Sequence, residues 1–305
     1  MKQPNVSIIT PSYNRGHLIE DTIKSVISQS YKNIEYIIVD GESTDNTLEI
    51  LEKYKKKSQL YYVSEKDSGM YYAINKGINM AQGDIIAYLN SDDRYFPWTV
   101  QTAVEAFQNN DGIDMIYGDS FVVDTLTKKN RLNIYASHKK YWLPTGGIIC
   151  QPTVFLRKNV FEKAGFFNTE FRYLADCEFW LRVNKIMADR IIKIDEVLAA
   201  EYNHPGTIRH TFQEGIKIEK EKLMLLYGKE YFWRKIRLFI LRLYIERKLW
   251  KFIIINLTNH IIPYKSWRNF LSAYNANFNL FYYFLRKLYH LPSYVKRVRK
   301  GERMF

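Results

Sequence analysis

Strand-like and helix-like hydrophobic patterns alternate through roughly the first ninety residues, and this alternation limits the possible folds more than any other feature of the sequence. Apolar runs of strand length are separated by segments in which apolar residues recur with helical spacing. The predicted strands lie at 6–9, 35–40, 60–63 and 84–89, and the predicted helices at 18–29, 44–56 and 70–80. The alternation predicts an α/β domain with a mainly parallel, twisted sheet and helices on both faces.

Right-handed crossovers place the loops that follow parallel strands along one edge of the sheet, where open α/β sheets bind their ligands. Polar clusters follow three of the predicted strands, at 10–14, 40–45 and 90–93, and a further acidic cluster lies at 176–178. We therefore expect a binding site at this edge.

The first two clusters carry groups suited to a nucleotide. Tyr13 could stack on a base, although Pro, Ser and Asn around it are also ordinary turn residues. Asp40 ends a strand and could accept a hydrogen bond from uracil or ribose. Ser43 or Thr44 could simply cap the next helix, but a cap does not account for Asp40.

The third cluster contains the adjacent carboxylates Asp92 and Asp93 at the end of an apolar strand. Their repulsion would be relieved by a cation, and hard oxygen ligands suit Mg²⁺ or Mn²⁺. The alternative is a solvated turn without a metal.

The fourth cluster contains Asp176 and Glu178 among aromatic residues. Such surroundings can raise the pKa of a carboxyl group and suit it to general-base catalysis. The alternative is the start of a helix, with Asp176 as its cap.

In order and spacing, these clusters resemble family 2 glycosyltransferases of the GT-A fold, and the resemblance covers residues 5–210. The segments that carry it are 7–14, 38–47, 64–71, 75–77 and 83–93. The resemblance implies a GT-A nucleotide-diphospho-sugar transferase fold. It also implies a nucleotide-sugar donor and a divalent cation, Mn²⁺ or Mg²⁺.

The resemblance further assigns roles to individual residues. Asp92 would be the metal ligand of the DxD-type motif, whose first acid is replaced here by Asn90, and Asp93 would lie close to the donor sugar or the metal. Asp176 would be the catalytic base. The remaining assignments are a uridine pocket at Pro11, Tyr13 and Asp40, a metal or diphosphate contact at His204, and an acceptor loop at Gly146 and Gly147.

These roles predict an inverting transfer of a hexose-type sugar, from a UDP-sugar to a glycan or polyprenyl-linked glycan in surface polysaccharide synthesis. One direct displacement, assisted by Asp176, would invert the anomeric carbon. A sugar-phosphate nucleotidyltransferase is the rival enzyme, but residues 10–16 lack a glycine-rich, basic triphosphate loop. A nucleic-acid-binding protein is the rival of another class, although no zinc, RRM or KH pattern is present.

The charge of +13 is concentrated in the last part of the chain. Residues 216–305 hold 20 Lys and Arg against 5 Asp and Glu, whereas residues 1–215 hold 25 against 27. We predict a catalytic domain at 1–215 and a basic, aromatic, helical region at 216–305. That region could bind an anionic membrane surface or form a helical subdomain with a solvated basic face.

Location is predicted from what the sequence lacks. The two cysteines form no disulfide or zinc pattern, and neither a signal peptide nor a membrane-spanning run is apparent. These features predict a cytoplasmic protein, with peripheral association at the inner face of the cell membrane if the basic region binds lipid.

Overall fold

A computed structural model describes residues 3–56, 60–128, 130–135 and 149–227 of the 305-residue chain. These residues form one mixed sheet flanked by helices. The strands are β1 Val6–Ser12, β2 Ile34–Asp40, β3 Leu60–Ser64, β4 Ile85–Tyr88, β5 Arg94–Tyr95, β6 Met115–Asp124, β7 Arg131–Asn133, β8 Phe155–Arg157 and β9 Ile191–Asn203. The helices are α1 Ile19–Ile27, α2 Thr47–Lys55, α3 Met70–Met80, α4 Thr99–Gln108, α5 Asn159–Ala164, α6 Ala175–Met187 and α7 Ile208–Thr211, and residues 213–227 form a further, C-terminal helix.

The strand order is β3-β2-β1-β4-β8-β6-β9-β5, with β7 paired to β6. Strands β1 to β4 run parallel to one another, and β6 and β9 share their direction because β8 is antiparallel to both β4 and β6. The carboxyl ends of these parallel strands therefore meet at one edge, as the sequence predicts. The predicted α/β class and mainly parallel sheet are confirmed.

Pro11 lies in β1, a central strand, where proline normally removes a ladder hydrogen bond. Here β1 pairs with β4 only as far as Ile9, opposite Tyr88, and beyond that point Pro11 pairs with Val39 on β2 alone. The missing N–H therefore falls where the β4 ladder has ended, and the strand can continue to Ser12.

The two faces of the sheet bury separate apolar clusters. One cluster packs helices α1, α2 and α4 on the sheet, and the other packs α3, α5 and α6. In the second cluster, Phe167 lies between α5 and α6, with its ring centroid 4.5 Å from that of Phe179 and 6.3 Å from that of Phe161. This aromatic packing fixes α6 against the sheet and so holds the first turn of α6 near the carboxyl edge.

Residue 215, where the sequence predicts a domain boundary, lies inside the C-terminal helix at 213–227. Leu223 of that helix packs against the α3–α5–α6 cluster. The boundary stays a prediction, since residues 228–305 lie outside the described residues. In the part of the chain that the structure describes, no helix is long and apolar enough to cross a membrane.

Candidate active site

The loops that follow β1 and β2 are tied to each other by side-chain hydrogen bonds. The Asn14 amide N–H donates to Ser43 Oγ at 2.8 Å, and the Asn14 side-chain oxygen accepts from the Thr44 N–H, also at 2.8 Å. Gly16 packs closely against Asn46, since a Cβ at position 16 would lie 1.8 Å from Asn46 Oδ1 and would displace that side chain. Asn14 itself adopts a left-handed conformation, with φ 51°. The two loops therefore form one rigid surface at the sheet edge.

Asp40 lies at the end of β2 and is fully buried. Its Oδ2 accepts from the Ser43 N–H at 2.9 Å and from Ser64 Oγ at 2.7 Å, and its Oδ1 accepts from Ser43 Oγ at 2.5 Å. The carboxylate thus holds the loop after β2 and joins it to the end of β3. This structural role is one that the sequence did not indicate.

Tyr13 lies over Gly41 and is 61% exposed, which leaves one ring face open to solvent. A Cβ on Gly41 would lie 3.4 Å from Tyr13 Cδ2 and 3.1 Å from Asp67 Oδ2. Burial and the nearby charges of Asp40 and Glu65 raise the pKa of Asp67. Tyr13 and Asp67 therefore close over Gly41, and the exposed part of the Tyr13 ring is the surface on which a flat ring could stack. No role for Asp67 was predicted from the sequence, because its neighbours Gly41 and Asp40 lie on a different loop and strand end.

The turn after β4 carries the two adjacent acids, and the structure places them differently. Asp93 is buried, and its Oδ1 accepts from the Tyr202 N–H of β9 at 3.1 Å. Burial, the charge of Asp92 and the charge of Glu201 hold the pKa of Asp93 well above its ordinary value. Asp93 therefore fastens the turn to β9, whereas Asp92 is only partly buried.

Asp92 contacts His204, which follows the last residue of β9. Asp92 Oδ2 lies 3.1 Å from His204 Nε2, and the Gly206 N–H donates to His204 Nδ1 at 3.2 Å. Because Nδ1 accepts a hydrogen bond, the proton of the neutral ring lies on Nε2, and the Nε2–H donates a hydrogen bond to Asp92. A bond from Nε2 to a metal would require the other tautomer.

Asp92 offers a partly exposed carboxylate, the type of oxygen ligand that hard divalent cations take. Mg²⁺ typically binds one or two carboxylates and completes its shell with water and substrate phosphates. Among the described residues, no group of three or more His, Cys, Asp or Glu side chains is arranged around a metal position. Asn90 Oδ1, in the same turn, is buried without a hydrogen-bond partner in the described part of the chain. Asp92 and this orphaned oxygen could therefore serve an ion that the donor diphosphate also holds.

Asp176 is the second residue of α6 and is half-buried. The hydroxyl of Tyr71 on α3 donates to Asp176 Oδ1 at 3.2 Å, and the Asp176 N–H donates back to that hydroxyl oxygen at 3.3 Å. Burial raises the pKa of Asp176 despite hydrogen bonds from Cys177 and Tyr71. A carboxylate with a raised pKa and a fixed orientation is suited to take a proton near neutral pH.

Glu178 is engaged elsewhere. It is buried, its Oε2 pairs with Arg182 Nη2 at 2.7 Å, and its Oε1 accepts from the Tyr227 hydroxyl at 2.7 Å. These contacts hold Glu178 within the helix packing. They leave Asp176 as the acid of this cluster that is suited to act as a base.

Aromatic packing links the end of β4 to the first turn of α6. Tyr88, the last residue of β4, and Tyr71 both pack on Phe167, with ring centroids 5.4 and 5.7 Å from it, and the Tyr71 hydroxyl donates to Asp176. The turn that carries Asp92 and Asp93 is therefore a close neighbour of the first turn of α6.

A polar cluster on β6 and β9 lies beside Asp93. Glu201 Oε1 accepts from the Tyr135 hydroxyl at 3.3 Å and from the Cys150 thiol at 3.2 Å, and the Ser120 hydroxyl also donates to it. This cluster could not be predicted from the sequence, because Glu201 lies in a strand pattern like any other polar strand residue. The predicted acceptor loop at Gly146 and Gly147 lies outside the described residues.

This arrangement agrees with comparisons to known proteins. The family model described as "Glycosyl transferase family 2" matches residues 7–165, just over half of the chain. The chain therefore belongs to glycosyl transferase family 2, a family of glycosyltransferase enzymes. The identification of family and enzyme class from the sequence is confirmed.

Curated relatives carry glycosyltransferase names. The chain is 47% identical over 95 residues to the putative teichuronic acid biosynthesis glycosyltransferase TuaG of Bacillus subtilis, covering 30% of this chain and 38% of that protein. It is 28% identical over 243 residues to a PGL/p-HBAD biosynthesis glycosyltransferase of Mycobacterium bovis, covering 74% of this chain and 85% of that protein. The match thus spans less than half the length of TuaG.

Solved structures show the same fold. S. aureus TarS 1–349 in complex with UDP-GlcNAc aligns with a TM-score of 0.56 at 20% identity, covering 74% of this chain and 66% of that one. The mannosyltransferase PcManGT of Pyrobaculum calidifontis, in complex with GDP-Man and Mn²⁺, aligns with a TM-score of 0.54 at 17% identity, covering 95% and 88%. At this identity the likeness supports the fold alone, and the GT-A prediction is confirmed.

Proposed function

We propose that this protein is an inverting, metal-dependent glycosyltransferase. It transfers a hexose-type sugar from a UDP-sugar to a glycan or lipid-linked glycan acceptor in the synthesis of a surface polysaccharide or glycolipid. The observation that carries the proposal is that the turn bearing Asp92 and the half-buried Asp176 lie at the same edge of the sheet, linked through the packing of Tyr88 and Tyr71 on Phe167 and the hydrogen bond from Tyr71 to Asp176. The names of relatives that act in teichuronic acid and PGL biosynthesis support the acceptor class.

The nucleotide would bind at the β1–β2–β3 end of the edge. Tyr13 offers an exposed ring for stacking, and Pro11 shapes the strand end below it. Asp40 keeps the loop after β2 in place, and its charge helps to raise the pKa of Asp67, which lies beside Gly41. The complexes of relatives of this fold with UDP-GlcNAc and GDP-Man support a nucleotide-sugar donor, and uridine is our choice from the sequence resemblance.

Asp92 would hold Mn²⁺ or Mg²⁺ together with the donor diphosphate, and His204 would orient Asp92 or contact the ion or the diphosphate. The cation would act as a Lewis acid on the leaving diphosphate. Asp93 would fix the turn close to the donor sugar from its buried position against β9.

Asp176 would remove the proton from the acceptor hydroxyl as that oxygen attacks the anomeric carbon. The Tyr71 hydroxyl orients the carboxylate and, as a neutral phenol, cannot compete for the proton. Attack opposite to the leaving diphosphate inverts the anomeric configuration in one step, so no second nucleophilic carboxylate is required. Gly146 and Gly147 would border the acceptor, as the family resemblance implies.

The test is a screen of the purified protein with UDP-, GDP- and dTDP-sugars, MnCl₂ and glycan or polyprenyl-linked acceptors. We expect acceptor-dependent release of UDP and a product whose anomeric proton coupling is opposite to that of the donor. Release of pyrophosphate, or retention of the donor's configuration, would contradict the proposal. In the same assay Asp92→Asn should lose transfer, and Asp111→Asn is its control, because Asp111 is exposed and precedes β6 at the opposite edge of the sheet.

A further inference from the structure

The turn that leads into α6 is held by a carboxylate from the C-terminal helix. Glu219 Oε1 accepts from the Arg172 N–H at 2.5 Å, and Oε2 accepts from the Tyr173 N–H at 3.0 Å and the Leu174 N–H at 2.8 Å. Glu219 is itself buried. Three consecutive backbone donors directly before α6 thus share one acceptor group from 45 to 47 positions further along the chain.

The N-cap residue of α6, Leu174, has an apolar side chain and makes no side-chain cap hydrogen bond. Backbone N–H groups at a helix start need an acceptor when they are buried, and a carboxylate there also interacts favourably with the helix dipole. Glu219 accepts from the Leu174 N–H, whereas the N–H groups of Asp176 and Cys177 donate to the Tyr71 hydroxyl and to Asp176 Oδ1.

The rest of the C-terminal helix packs on the same segment. Gly215 permits close approach, since a Cβ there would lie 2.3 Å from the Tyr173 ring. Lys222 pairs with Glu170 at 3.0 Å, and the Tyr227 hydroxyl donates to Glu178. Contacts therefore run along 213–227 from the turn before α6 to its first helical turn.

We infer that Glu219 is a positioning residue for Asp176, and that residues 213–227 belong to the catalytic unit. The inference rests on the proposed role of Asp176 as the base. Glu219 does not touch the reacting groups; it fixes the backbone at 172–174, and this sets where Asp176 meets the Tyr71 hydroxyl and the acceptor.

The variant Glu219→Gln tests this link, because its amide group would place N–H donors against backbone N–H donors. Glu221→Gln is the matched control, since Glu221 is exposed two positions further along the same helix. Hydrogen–deuterium exchange should be faster at residues 172–176 in Glu219→Gln than in Glu221→Gln. Equal exchange in the two variants would overturn the inference, whether or not the enzyme transfers sugar.

The kinetic arm uses the donor and acceptor identified in the screen. We expect kcat of Glu219→Gln to fall by about 10- to 100-fold, since ~1 Å of misplacement costs up to ~10²-fold, with donor KM and UDP affinity within a few fold of wild type. The acid limb of the pH–kcat profile should move to lower pH, because burial is the largest cause of the raised pKa of Asp176, so exposure of the carboxylate to water lowers that pKa by more than a weakened Tyr71 hydrogen bond raises it. A loss that only follows the folded fraction, with the limb unmoved, would contradict positioning.

A second variant protects the test against misfolding. Glu219→Asp keeps the charge but withdraws the carboxylate by one methylene, so its exchange and kcat should lie between those of wild type and Glu219→Gln. Wild-type values for Glu219→Asp, with a large loss in Glu219→Gln, would show that charge and not backbone fixation matters, and would overturn the inference.

Discussion

The two ends of the site edge are built in different ways. At the β1–β2–β3 end, hydroxyls and backbone amides from neighbouring loops satisfy one another, and Asp40 accepts three hydrogen bonds. At the β4–α6–β9 end, Asp93 and Asp176 are acids whose pKa is raised by burial. The first end is therefore suited to rigid binding. The second end holds carboxyl groups whose raised pKa suits them to proton transfer.

The range of the contacts differs in the same way. Asn14 and Ser43 are 29 positions apart, whereas Asp92 and His204 are separated by 112 and Tyr71 and Asp176 by 105. A substitution at the first end should mainly change affinity and stability. One at the second end should mainly change rate, and the following predictions test this division.

The largest effect is expected for Asp92→Ala. It removes the carboxylate that we propose as the metal ligand, and loss of leaving-group stabilisation should lower transfer by about 10²–10³-fold or more. Wild-type protein in excess EDTA should lose transfer equally, and MnCl₂ should restore it. Full transfer activity in EDTA would remove the metal from the mechanism.

Asp40→Ala should mainly lower stability and UDP affinity, whereas Asp92→Ala should mainly lower the rate of transfer. The Asp40 substitution leaves the Ser43 and Ser64 donors without an acceptor in a buried place, which should cost roughly 1–3 kcal/mol of unfolding free energy. UDP affinity, measured by calorimetry, should fall about tenfold or more, because the loop after β2, which packs against Tyr13, would shift. Ser64→Ala is the control, and it should lose less stability while keeping UDP affinity. Unchanged affinity in Asp40→Ala would take Asp40 out of the nucleotide site.

Tyr71→Phe should have a smaller effect, visible as a function of pH. Asp176 acts when ionised, so transfer should rise with pH through its raised pKa. The Tyr71 hydrogen bond stabilises the carboxylate and lowers that pKa, so its loss should move the acid limb of the pH–kcat profile to higher pH. The exposed residue Tyr61 offers the control Tyr61→Phe. An acid limb that stays in place or moves down would contradict the contact's role.

The smallest effect on transfer is expected from deleting residues 228–305, which hold 17 Lys and Arg against 3 Asp and Glu. Co-sedimentation with anionic liposomes should fall, since each basic residue near such a surface contributes about 1 kcal/mol. Deleting residues 216–305 should lose transfer as well, because Glu219 goes with them. Equal liposome binding by full-length and shortened protein would contradict the membrane assignment.

The β1–β2 end could be predicted from the sequence because its motifs are local. The strand before Asp40 and the helix after it have clear periodicities, and the loop between them is short. The structural role of Asp40 was not predicted, since the hydrogen bond that it accepts from Ser64 depends on the pairing of β2 with β3.

At the second end, the sequence pattern indicates Asp92, Asp93 and Asp176 as candidate acids and the family resemblance assigns their roles, but neither shows which side chains meet. Asp176, Tyr71 and Glu219 lie on three different helices, and no periodicity indicates that they meet. The boundary at 215 is predicted from the change in composition and stays a prediction, whereas the packing of the helix at 213–227 on the α3–α5–α6 cluster could not be predicted from composition.

The most direct test is to measure transfer and UDP affinity together in Asp176→Asn, with Glu178→Gln as the matched variant on the same helix. Asp176→Asn keeps the size of the side chain and removes its basicity, so kcat should fall by about 10²–10⁴-fold while UDP affinity stays within a few fold. Glu178→Gln should disturb only the Arg182 and Tyr227 contacts and retain most transfer. Loss of transfer in Glu178→Gln with an active Asp176→Asn, or a parallel fall of UDP affinity and kcat in Asp176→Asn, would contradict this division between binding and chemistry.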